Sequence, residues 1–379
     1  MNTIEPSTPF PTMGYFGPEY FCNREKETET ITGNIKGGQP TTLVSVRRMG
    51  KTGLINHLQH LLSEQYIFIY ADILPTENSS ELLNTLATSI LNSIPEKTGV
   101  GAKIWNFIKS LRPVITFDPL SGEPQVSFNI QSKDSDNQIE LLFSFLEKQE
   151  KRVVFAIDEF QQILEYPEKN IEAWLRKLMQ QLKNVTFIFS GSQQHIMSDM
   201  FSNPARPFFG STLFLQLDKI GFEPYKNFII NKFAERGKSI NETVVSEILR
   251  WTNRHTFYVQ LACNRVFLNS GNSIDLDLWY AVAKKLLDEQ EYVFFGYRDV
   301  LTKHQWKLLR AIAYAGEASS LTSKEFVQKH TLGSPATVLR SLDSLQKKNL
   351  IFSQHNSNGT LYYRVYNVLF ERWIQNQSL

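Results

Sequence analysis

The stretch Thr41–Ile55, TTLVSVRRMGKTGLI, constrains this chain more than any other. It reads as a short apolar strand, a turn closed by Gly50-Lys51-Thr52, and the first turn of a helix. A phosphate-binding P-loop requires that order, because the loop's backbone N–H groups and the positive end of the helix then face one anion. Ser45, Val46, Arg47, Arg48, Met49, Gly50 and Gly53 are the candidate cradle. Lys51 would reach the β- and γ-phosphates, and Thr52 would offer its hydroxyl to Mg²⁺. The usual pattern places a glycine five positions before Gly50, and Ser45 stands there instead. The loop length is kept.

Lys151–Gln162, KRVVFAIDEFQQ, is a continuous apolar run ending in Asp158-Glu159. Such a run suits a strand buried on both faces, as in a parallel sheet covered by helices. Ligands in open α/β sheets bind at the C-terminal ends of the strands, where these two carboxylates fall. Asp158 would hold Mg²⁺, and Glu159 would act as general base on the attacking water.

At 379 residues, two or three domains are expected. Hydrophobic residues make up 42% and charged ones 21%, as in ordinary globular proteins. No run approaches a membrane span, and the N-terminus lacks the layout of a signal peptide, so a cytoplasmic protein is expected. Cys22 and Cys263 are too few and too far apart for a disulfide framework or a metal site. From Tyr297 onward 11 Lys/Arg face 5 Asp/Glu, against 29 and 33 in the remainder. A basic tail on a mildly acidic body points to an anionic partner for the tail.

Residues 1–21, with four prolines, read as an extended lead-in. A polar helix over Arg24–Lys36 follows, with Asn23 as its expected N-cap. Tyr66–Ala71 reads as a strand and Ser79–Ile94 as an amphipathic helix. Residues 95–137 look like an insertion: a helix near Ala102–Leu111, a hairpin of Val114–Asp118 with Gln125–Ile130, and a polar loop over Lys133–Asn137. Helices over Gln138–Gln149 and Asn170–Leu182 flank the Asp-Glu strand, with Asn170 a candidate N-cap. Val185–Ser190 and Thr212–Leu217 complete five strands.

The strand order resembles that of P-loop ATPases in which an extra strand sits between the P-loop and Mg²⁺ strands. The end of the fourth strand would then lie beside the γ-phosphate, with Ser190 or Ser192 as its sensor. Turn chemistry is the alternative for these serines. Over most of its length the chain resembles the archaeal/bacterial ATPase group close to the AAA+ and STAND classes. The resemblance rests on Phe21–Glu27, Val46–Leu54, Phe155–Phe160, Phe189–Ser192, Asn203–Gly210, Trp251–Leu261 and Tyr366–Trp373. It implies an α/β fold of AAA+/ASCE type with a parallel five-stranded sheet, a helical lid and a C-terminal winged helix. The corresponding domains are 1–217, 218–296 and 297–379. It also implies Arg206 as a γ-phosphate contact, in cis or in trans. The family often carries a Gly-x-Pro turn in its helical domain. Arg254-His255-Thr256 stands there in this chain, with His255 or Arg254 as possible nucleotide contacts. No Asn-Lys-x-Asp run is present, and the resemblance favours ATP over GTP.

The C-terminal part reads as a winged helix from its residues. His304–Ala315 is a helix, Thr322 to Glu325 is a capping box, and Ser334-Pro335 opens a third helix. Val338, Leu339, Leu342 and Leu345 form the inward stripe of that helix, with Arg340, Ser341, Lys347 and Lys348 outward. Leu350–Ser353 and Leu361–Val365 make the wing. Arg340, Lys347, Lys348 and Arg364 are the candidates for DNA phosphates. Winged helices also dock proteins. The expected activity is an ATP- and Mg²⁺-dependent switch of low or partner-stimulated ATPase activity that engages double-stranded DNA or a protein. The alternatives are an initiator-like DNA-binding regulator in which nucleotide drives homo-oligomer assembly, and a nucleotide-binding protein without turnover.

Overall fold

Side-chain alternation inside the apolar runs decides how the sheet is covered. The computed structural model describes residues 5–94, 96, 99–128, 132–356 and 358–377. Its main sheet holds β1 (Thr41–Val44), β2 (Ile67–Asp72), β5 (Val153–Asp158), β6 (Val185–Gly191) and β7 (Leu213–Gln216). The remaining strands of this region, β3 (Val114–Phe117) and β4 (Pro124–Ser127), form an antiparallel hairpin apart from it. In β5, Val153, Phe155 and Ile157 join one core layer, while Val154 and Ala156 join the other. Phe187 and Phe189 of β6 likewise oppose Ile188. Both faces of these central strands are therefore buried, as period-two side chains require in a helix-covered sheet, while the edge strand β7 keeps Leu213 and Phe214 exposed.

The sheet order is β2-β5-β6-β1-β7, with every neighbouring pair parallel. β6 thus lies between the P-loop strand and the Asp-Glu strand, as the sequence order led us to expect. In register, Val44 stands beside Gly191 and Asp72 beside Asp158. The ends of four strands converge on one edge.

The chain divides into two compact units, Met13–Ile220 and Gly221 onward, the second including the N-terminal segment up to Thr12. In that segment Phe10 is buried with its ring 4.9 Å from that of Phe233, and the Asn264 amide donates to Thr8 Oγ1 and the Phe10 carbonyl. In the insertion, Gly99–Ser110 is a helix and the hairpin is tied down by bonds from Val126 N to Thr88 and from Phe128 N to Asn84. Asn129 and Ile130, expected in its second strand, lie outside the described residues. The polar stretch Lys133–Asn137 is not a loop. It opens the helix Ser132–Glu147, whose stripe Ile139, Leu142, Phe143 and Leu146 is buried.

In the second unit β8 (Ser239–Ile240) and β9 (Ser273–Ile274) pair among the helices, and β10 (Ile351–His355) and β11 (Leu361–Val365) form the antiparallel wing. Ser334 caps the helix Pro335–Lys347 as expected. Three local expectations fail. Ser323, not Thr322, caps the short helix Lys324–Lys329. Leu339 is exposed and Ser341 buried, a slight rotation of the helix that keeps Val338, Leu342 and Leu345 inward. Arg24, with φ 82°, holds the cap position assigned to Asn23. Asn170 occupies its cap position without a side-chain bond. Among the described residues no helix is long and apolar enough to cross a membrane.

The C-terminal helix Val368–Asn376 clasps the turn after the helix Glu242–Trp251. Arg372 donates to the carbonyls of Trp251 (2.7 Å) and Arg250 (3.2 Å) and to Asn253 Oδ1 (3.0 Å). Asn253 in turn donates to Glu371 (2.6 Å). Burial holds the Arg372 guanidinium below its ordinary pKa.

Candidate active site

The loop after β1 turns without a glycine at its first position. Ser45 is fully buried, donates its hydroxyl to the Val46 carbonyl (2.9 Å) and lies outside the positive-φ region. The freedom that glycine supplies is not needed there. It is needed at Gly50, which adopts φ 104° as the N-cap of the helix Lys51–Leu62. Arg48 takes φ 61°, Val46 and Met49 are buried, and Arg47 and Arg48 are exposed. Gly53 lies where an added Cβ would stand 3.8 Å from the Phe21 ring.

Lys51 is 5% exposed. Burial lowers its pKa, and the charges of Asp158 and Glu159 oppose that shift. A lysine buried at a helix N-terminus, where the backbone N–H groups favour negative charge, has the chemistry to hold an anion such as a phosphate.

Beside it, Thr52 Oγ1 donates to Asp158 Oδ2 at 2.7 Å, and the Tyr70 hydroxyl donates to the same oxygen at 3.0 Å. Burial drives the Tyr70 hydroxyl pKa upward, with Asp158 adding to the shift, so it stays a donor. Hydroxyl and carboxylate oxygens at this spacing fit a hard cation such as Mg²⁺.

Glu159 follows at φ 54°, with its Oε2 accepting bonds from Ser192 Oγ (2.7 Å) and Gln161 Nε2 (2.5 Å). Ser190 is fully buried beside Leu43, and among the described residues its hydroxyl has no hydrogen-bond partner.

The structure thus brings Lys51, Thr52, Asp158, Glu159 and Ser192 together. Arg206 is engaged elsewhere, 3.1 Å from Glu172 and 3.0 Å from Asp199. Burial raises the Glu172 pKa, and Arg206 opposes that shift. His255 belongs to the second unit, where it occupies the N-cap position of the helix Thr256–Asn269 without a side-chain cap bond.

Among the DNA candidates, Arg340, Lys347 and Lys348 are exposed, with Lys347 paired to Asp343 at 2.8 Å. Arg364 is a correction. It is 7% exposed and its guanidinium faces Glu317 (3.0 Å) and Glu371 (3.8 Å), so its charge is used inside the fold.

Tyr70 and Gln161 were not singled out from the sequence. Tyr70 shares strand parity with Asp72, the register partner of Asp158, which is the signal that would have found it. Gln161 carries no such pattern, because its bond to Glu159 depends on the turn Phe160–Glu165.

A sequence profile described as "ATPase domain predominantly from Archaea" matches residues 21–258, more than half of the chain. The chain belongs to this ATPase family. A second profile, described as "probable winged helix domain", matches residues 292–376. The chain is similar in structure to the Walker-type ATPase of Pyrococcus abyssi, with TM-score 0.67 and 17% identity over 97% of this chain and 100% of that one. It is also similar to two Aeropyrum pernix proteins. For the ORC2 protein, solved as ADPNP-ADP complexes, the TM-score is 0.56 and the identity 14% over 97% of each chain. For the ORC1 protein, solved with DNA, the TM-score is 0.51 and the identity 13% over 98% of this chain and 97% of that one. Identities this low speak for the fold alone. No curated protein matches the chain.

Proposed function

We propose that this protein is an ATP- and Mg²⁺-dependent switch that hydrolyses ATP slowly and engages duplex DNA or a protein through its winged helix. The observation that carries the reading is the 2.7 Å bond between Thr52 and Asp158, which assembles a cation site next to a buried lysine. Loop N–H groups and Lys51 bind and orient the β- and γ-phosphates. Thr52 and Asp158 would hold the metal, with Tyr70 orienting the carboxylate from behind. When bound, Mg²⁺ supplies neutralisation of phosphate charge. Glu159 accepts the proton of the attacking water.

Slow turnover follows from Arg206. Its guanidinium is paired with Glu172 and Asp199, so a stabilising arginine must come by rearrangement or from a neighbouring copy. An arginine finger is worth about 10³–10⁵ in rate. The exposed cations Arg340, Lys347 and Lys348, and the solved DNA complex of the similar ORC1 protein, support duplex DNA as the partner.

The test is phosphate release from ATP and Mg²⁺ by wild type, Lys51→Ala and Glu159→Gln, with and without duplex DNA. The expected result is release that both substitutions remove, with Lys51→Ala losing ATP and Glu159→Gln retaining it. Retention of ATP by the wild type without release would make it a non-hydrolysing switch. No binding of ATP would sink the reading.

A further inference from the structure

We infer that Gln161 is a positioning residue for the Glu159 carboxylate: with Ser192 it holds Oε2, leaving Oε1 as the oxygen that takes the proton from water. The inference rests on the reading of Glu159 as the base.

Three observations lead to it. Both donors reach one oxygen, Gln161 Nε2 at 2.5 Å and Ser192 Oγ at 2.7 Å, and among the described residues Oε1 accepts no hydrogen bond. Hydrogen bonds to a charged acceptor are short and strong, so two on one oxygen fix the rotation of the carboxylate. A base whose free lone pairs point one way is prepared for a proton arriving from one direction.

Gln161 itself is 4% exposed, and among the described residues its buried Oε1 has no hydrogen-bond partner. A purely structural buried glutamine is expected to satisfy both ends of its amide. Here the donor end is satisfied at the cost of the acceptor end, which ties the residue to Glu159.

The neighbouring strand makes room for this arrangement. A Cβ on Gly191 would stand 2.4 Å from Gln161 Oε1 and 2.6 Å from the Met197 side chain. No larger residue fits at 191 while Gln161 keeps its place. The left-handed backbone of Glu159, φ 54°, is held in the same turn.

The experiment measures kcat, KM, ATP affinity and melting temperature for wild type, Glu159→Gln, Gln161→Met, Gln161→Glu and Gly191→Ala. Gln161→Met keeps length and burial and removes the donor. The expected result is a kcat lower by roughly 10- to 100-fold, as for a catalytic group slightly misplaced. KM and ATP affinity should stay at wild-type values. Gln161→Glu should fall at least as far, since it turns a donor into a second carboxylate. Gly191→Ala should lower kcat through Gln161, and adding Gln161→Met to it should cost little more. Inactive Glu159→Gln with Gln161→Met at wild-type rate would overturn the inference alone. So would a kcat loss that follows falling ATP affinity or melting temperature. Should Gln161→Met not fold, wild-type kcat in folded Gly191→Ala would overturn it. Wild-type release unaffected by Glu159→Gln, or no release at all, would overturn the base reading with it.

Discussion

Lys51 shows how a single residue in the proposed phosphate-binding role can weaken the empty protein. Burial disfavours its charge, and the charges of Asp158 and Glu159 only oppose that shift. Lys51→Met removes that charge at similar volume. The variant should melt above the nucleotide-free wild type and lose the stabilisation by ATP and Mg²⁺, about 2.7 kcal/mol at a hundredfold excess over Kd. Thermal melts with and without nucleotide check both. The pH dependence has a definite sign. The unfolded chain keeps the Lys51 proton up to the ordinary value of 10.5, whereas the folded protein sheds it earlier. Wild-type stability relative to Lys51→Met should therefore rise with pH across that window, and the gap should close near 10.5. Denaturant melts of the two proteins along a pH series measure it. A gap that widens with pH would contradict the burial argument.

Among the elements, the wing and the C-terminal helix depend on one another through Arg364 of β11. Its partner Glu371 is 1% exposed. Arg364→Met would take one cation away from that buried carboxylate, which Asn253 still hydrogen-bonds, so the loss should stay below the about 3–5 kcal/mol of a buried charge stripped of its partner. The expected result is a lowered denaturation midpoint for the second unit, with DNA affinity lost only as far as the fold is lost. Affinity lost at unchanged stability would restore Arg364 to the DNA candidates. The insertion teaches a related lesson. The opening of Ser132–Glu147 resembles a loop because Lys133–Asn137 are all polar, yet the stripe beginning at Ile139 belongs to the same helix.

For the whole molecule, electrostatic DNA binding would be readable as a salt dependence. Arg340, Lys347 and Lys348 are the exposed cations on the helix Pro335–Lys347 and its end. If all three meet phosphates, log K should fall with log salt at a slope of about −2.7. Each alanine substitution should make that slope shallower by roughly one. Duplex titrations at several salt concentrations test this, and a slope near zero would make the winged helix a protein-docking module. DNA that stimulates phosphate release would link the two units in function.

Much of the fold and part of the site were legible in the chain because their signals are local. The glycine-lysine-threonine turn, the apolar runs ending in Asp158-Glu159 and Ser190, and the Ser334-Pro335 helix start each lie within one element. Spacing and period are carried by neighbouring residues, so they can be read without a fold. The tertiary structure decided which ends meet. Placing β6 between β1 and β5 brings Thr52 onto Asp158, 106 positions away, and Ser192 onto Glu159, while the turn Phe160–Glu165 brings Gln161 to the same carboxylate. It also turned Arg364 inward and gave Arg206 its two carboxylates. A charged side chain looks the same in sequence whether it faces solvent, a carboxylate or a ligand. Only burial and the geometry of distant partners separate those fates.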